Sequence, residues 1–124
     1  MAKMEDIEKR LCLAMEHDAE EAIKALSAEK PNPRLAKDML KLMLKADGLG
    51  KFILLRRESK EIGRERRVQI MDAMAKLFVK IESDINDALA MVNSKEYEGA
   101  IKKIRVIIRE IMQELGWESQ LEKA

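Results

Sequence analysis

Threonine is absent from this chain, and the amides are scarce, with three Asn and three Gln in 124 residues. A Lys-, Glu- and Arg-rich chain so poor in amides has the composition of long helices, and thermophile proteins share that profile. The one cysteine, Cys12, excludes an internal disulfide, so no oxidising compartment is required. The one histidine, His17, excludes the paired Glu-x-x-His motifs of a ferritin-type di-iron bundle, and Ala14 stands three residues before it. Only four aromatic residues are present, so the core must be aliphatic, built from Leu, Ile, Ala and nine Met. No apolar run approaches the ~20 residues of a membrane span, and no N-terminal stretch resembles a signal peptide. We therefore expect a soluble, cytoplasmic protein.

Charge is what the chain has in excess. Charged residues make up 38% of it, against about 25% in ordinary domains, beside a normal 47% of apolar residues. The net charge of +1 predicts no polyanionic partner, but the distribution is uneven. Residues 1–29 carry eight acids and four bases, whereas residues 30–67 carry twelve bases and five acids, a local +7. Residues 68–98 return to −3, so a basic segment lies between acidic neighbours.

Apolar periodicity of the helical kind runs through the whole chain. Met71, Met74, Phe78, Ile81, Ile85, Ala88 and Val92 form one stripe, and Tyr97, Ile101, Ile104, Ile108, Ile111 and Leu115 another. Between them "VNSKEY" offers Asn93 or Ser94 as the cap of the last helix. An earlier stripe runs through Met4, Ile7, Leu11, Ala14 or Met15, Ala22 and Leu26, and stops at "EKPNPR". There Asn32 is a suitable N-cap and Pro33 fits the first helical position, where its missing N–H costs nothing. Leu35, Met39, Leu42, Ala46, Leu49 and Ile53 form the fourth stripe and run straight across "KADGLGKF". That segment lacks the preceding strand, the glycine spacing and the Ser or Thr of a phosphate-binding loop. Its glycines are read as helical, allowing a close approach or a bend. The expectation is one all-α domain over 1–124, an antiparallel up-down-up-down four-helix bundle with helices at about 3–29, 33–61, 64–93 and 95–121. Gly63 is the expected cap between the second and third helices.

Little in this framework carries chemistry. His17 could join a Met as a haem ligand, but it stands among acids in "MEHDAEE" and reads as solvated. Cys12 has no activating neighbour and reads as a buried structural thiol. No cofactor is expected. The pairs Glu58/Glu61 and Asp84/Asp87 resemble the acidic motifs of all-α nucleoside-triphosphate pyrophosphohydrolases, a resemblance that implies a magnesium site. In an antiparallel bundle, however, a turn near Gly63 leaves Asp84 roughly 30 Å from Glu61. Levelling the four helices also brings Asp18 near Arg105, an expected ion pair that fixes register.

The expected function is therefore non-enzymatic. We expect an interaction protein, a subunit of a larger complex or a homo-oligomer, whose basic end binds nucleic-acid backbone without sequence preference. The bases assigned to that end are Lys51, Arg56, Arg57, Lys60, Arg64, Arg66 and Arg67. A second contact surface is expected at Leu54, Leu55, Val106 and Ile107, apolar positions in excess of the inward stripes.

Overall fold

The computed structural model describes residues 4–60 and 65–123, with the side chains of 4–6, 57–60, 66, 67 and 118–123 outside the description. It contains four helices and, among the described residues, no strand: α1 (Met4–Ser27), α2 (Pro33–Lys60), α3 (Glu65–Asn93) and α4 (Tyr97–Lys123). Contacts run α1–α2, α2–α3, α3–α4 and α4–α1, which closes the four into a bundle in which, among the described residues, no diagonal pair of helices comes into close backbone approach. Ion pairs define the sense of one neighbouring pair. Lys80 of α3 meets Glu110 of α4, while Asp84 and Asp87, further along α3, meet Lys103, earlier in α4. Numbers that rise on one helix as they fall on the other describe antiparallel neighbours.

The helix ends follow local chemistry. Asn32 Oδ1 accepts from the Leu35 amide at 3.1 Å, and the Asn32 carbonyl accepts from Ala36, so α2 is capped as the sequence suggests. The α3–α4 connection differs from expectation. Lys95 takes a left-handed backbone, φ 62°. Its amide donates to Val92, and the Glu96 amide donates to Met91, the two bonds of a Schellman motif. Neither Asn93 nor Ser94 caps α4. The turn expected at Gly63 lies outside the described residues.

α2 is continuous through Asp47–Gly50. Gly50 is buried, and a Cβ built there would stand 2.7 Å from the Phe78 ring, so the glycine allows α3 to approach. Gly48 faces open space.

The rotation of α2 about its own axis corrects the expected stripe. Ala36, Leu40, Met43, Asp47, Gly50 and Leu54 face the interior, while Leu35, Leu42 and Leu49 are exposed. Small side chains explain the choice. Ala36 and Gly50 on α2 and Ala19, Ala22 and Ala25 on α1 permit close helix contact that a face of leucines would hold apart. On α1 the expected stripe is buried at Met15, Ala22 and Leu26, but towards the N-terminus Glu8 and Cys12 face inward and Ile7 is exposed. The α3 stripe is buried as expected. A large core cluster draws on all four helices, and a smaller one comprises Leu54, Ile70, Met71, Met74 and Phe78. Trp117 packs against both.

Candidate interaction surface

Two polar networks tie α3 to its neighbours. On the α2 side, Asp47 is only 1% exposed, and Lys51 stands 3.5 Å from it. Lys51 also donates to Glu82 of α3. Burial pushes the Asp47 carboxyl up to about 7, against the opposing pull of Lys51. Burial alone would lower the Lys51 amine, but its bond to Glu82 and the Asp47 charge outweigh it and raise the amine.

On the α4 side, Lys80 bonds both Asp84, at 3.1 Å, and Glu110, at 2.6 Å. Lys103 reaches Asp84 at 3.2 Å and Asp87 at 3.6 Å. Burial and the neighbouring Asp84 carboxylate raise Glu110. Asp84 itself lies below its ordinary value, because Glu110, Lys80 and Lys103 together outweigh the upward effect of burial. These are structural clamps. In these two networks Asp47, Asp84 and Glu110 each have a lysine beside them, so each pair can be taken out of water together.

These contacts decide several expectations. Asp84 and Asp87 are occupied by lysines, and Glu58 and Glu61 lie outside the described side chains. Among the described residues no group of three or more His, Cys, Asp or Glu side chains gathers as a metal site. The expected Asp18–Arg105 pair is absent among the described residues, where α4 instead carries Lys103 and Glu110 to α3. Lys51 is committed to Asp47 and Glu82 and is not a free cation of the basic end. Arg56 is exposed, with its guanidinium 5.6 Å from the Phe52 ring centroid. Arg57, Lys60, Arg64, Arg66 and Arg67 lie outside the described side chains. Of the expected apolar surface, Leu54 and Ile107 are core residues, because each lies on the inward side of its helix. Leu55 is exposed and Val106 is half-buried.

The surface that the structure does present is the outer face of α2. Leu35, Leu42, Leu49 and Phe52 are 38%, 44%, 54% and 57% exposed, the first three at seven-residue spacing. Arg34, Lys41 and Lys45 are exposed on the same face, where Asp38 is the only exposed acid among the described residues. Arg34, Lys37, Lys41 and Lys45 form no ion pair among the described residues, in contrast to Lys24, Lys51, Lys76, Lys80 and Lys103. Beyond it, a shallow apolar groove of about 160 Å³ between α2 and α3 is lined by Lys51, Leu54, Leu55, Ala75 and Val79. Compared with family models, curated proteins and solved structures, the chain matches none. Among the described residues no helix is long and apolar enough to cross a membrane.

Proposed function

We propose that this protein is a non-enzymatic interaction module that works as a subunit, with the outer face of α2 as its principal contact surface. One observation carries the reading: exposed leucines share that face with bases that form no ion pair among the described residues, whereas Lys76 and Lys80 of α3 and Lys103 of α4 are held by acids of the chain itself. Exposed apolar rows rimmed by charge are what binding surfaces present. A photo-crosslinking residue at position 42, in the protein expressed in its own cells, should give discrete adducts. The same residue at position 76 on α3 should give none. Equal labelling at both positions, or none at 42, overturns the reading. Magnesium-dependent hydrolysis of a nucleotide panel, lost in Glu58→Gln, would favour the pyrophosphohydrolase alternative instead.

A second reading concerns the basic end. The local +7 over residues 30–67, with Arg56 stacked on exposed Phe52, favours contact with nucleic-acid backbone there. Six phosphate contacts would give a slope of about −5 in log affinity against log salt on duplex DNA. Replacing Arg56, Arg57, Arg64 and Arg67 by Gln should flatten it by roughly three units. A mobility shift at about 50 mM salt that shows no binding, or binding indifferent to these substitutions, removes this reading.

A further inference from the structure

The exposed face of α2 has the form of half a helix–helix contact. Leu35, Leu42 and Leu49 recur at the heptad interval, which sets them about 10 Å apart along the axis. Arg34 and Lys41 each precede a leucine by one residue, and Lys45 lies one turn from both Leu42 and Leu49. The row is therefore apolar along its centre and basic along its outer flank. Asp38 is the one exposed acid of α2 among the described residues, where Arg34, Lys41 and Lys45 form no ion pair.

We propose that this face receives an amphipathic helix of a different protein, apolar on one side and acidic beside it. The inference rests on the reading of α2 as a contact surface and names what covers it. Charge complementarity chooses the occupant. Two copies of this chain joined leucine row to leucine row by a two-fold axis perpendicular to α2 would set Arg34, Lys41 and Lys45 against the same bases, which repel. A nucleic-acid backbone would satisfy the bases but leave the leucine row in water, since phosphates cover no apolar surface. A lipid surface would take both, but it favours a broad apolar face, whereas this row is one residue wide and about 25 Å long from Leu35 to Phe52. A partner helix matches that shape. Its leucines or isoleucines fit between those of α2, and its Glu or Asp residues at the edge positions meet the bases.

The test uses a labelled designed peptide of about 21 residues, with Leu at heptad positions and Glu at the flanking ones. Fluorescence anisotropy with the full chain should show saturable binding, with a rise in helicity on mixing. A peptide with Lys in place of every Glu, and a scrambled acidic peptide, should each bind at least about tenfold more weakly. Leu42→Glu should abolish binding, and the double substitution Lys41→Glu, Lys45→Glu should weaken the acidic peptide but strengthen the Lys peptide. All these side chains are exposed, so circular dichroism of the variants should match the parent chain. Binding of scrambled and patterned peptides alike overturns the proposal, as does no binding of the patterned one. So does Leu42-dependent binding to phosphatidylserine vesicles or duplex DNA with no peptide binding, or a Leu42-dependent dimer in light scattering. Crosslinks at position 42 without peptide binding would leave α2 a contact surface with a partner of other chemistry. Absence of both would remove the surface itself.

Discussion

Two glycines two residues apart in α2 have opposite roles. Gly50 meets the Phe78 ring, whereas Gly48 meets nothing within 4 Å. We expect Gly48→Ala to stabilise the fold by about 0.5–1 kcal/mol, the gain in helix propensity. Gly50→Ala should instead cost about 1–2 kcal/mol, because Phe78 is buried and the ring must shift. Urea midpoints for the two variants, moving in opposite directions at unchanged slope, check the pair. Two shifts of one sign would contradict the contact. Lys95 offers a complementary case. It holds the left-handed position of a Schellman motif where glycine has no steric penalty. Lys95→Gly is expected to raise stability by about 1 kcal/mol, read in the same assay.

At the scale of the element, the rotation of α2 is the lesson. Two apolar rows one residue apart, Leu35/Leu42/Leu49 and Leu40/Met43/Leu54, both satisfy helical spacing. Periodicity cannot choose between them. The deciding signal was present in the sequence as small residues, Ala36 and Gly50, but its meaning depends on what α1 and Phe78 bring to the same place. Helix existence and the Asn32–Pro33 boundary needed only local chemistry, so they were legible. The surface was half legible. A basic segment is visible from charge counts, but which bases the chain itself neutralises depends on contacts such as Lys51–Glu82 that span 31 residues. Leu40→Ala should therefore cost about 2–5 kcal/mol and Leu42→Ala less than about 1, measured by thermal or urea unfolding. Comparable losses would place both rows in the core.

The same helix carries a pH-dependent element. Asp47 is raised to about 7 from an unfolded 3.8, so the native state holds its proton more tightly than the unfolded chain does. Stability from this group is full below the unfolded value, falls as pH rises through the interval to about 7, and is level above it. Asp47→Asn should thus leave stability near unchanged at about pH 4 and raise it by about 2–4 kcal/mol at about pH 8. Lys51 would keep Glu82 as a partner in the variant. A difference between variant and parent that does not vary with pH would show that the carboxyl titrates normally.

For the whole molecule, the two networks make α3 the strut to which α2 and α4 are fastened, one through Glu82 and the other through Asp84 and Lys80. Trp117, the only tryptophan, touches both core clusters and so reports on their joint unfolding. The fastening also divides the lysines by nucleophilicity. An amine acylates only when neutral, and the carboxylates around Lys51, Lys80 and Lys103 hold those amines protonated to higher pH. Lys41 and Lys45 are exposed and form no ion pair among the described residues. A brief treatment with an acetylating reagent at about pH 8, followed by peptide mass spectrometry, should therefore mark Lys41 and Lys45 before the other three. Uniform labelling would contradict the pairing. With the marking as expected, the native chain carries its own chemical stencil, in which acylation separates the open amines Lys41 and Lys45 from those that its acids already hold.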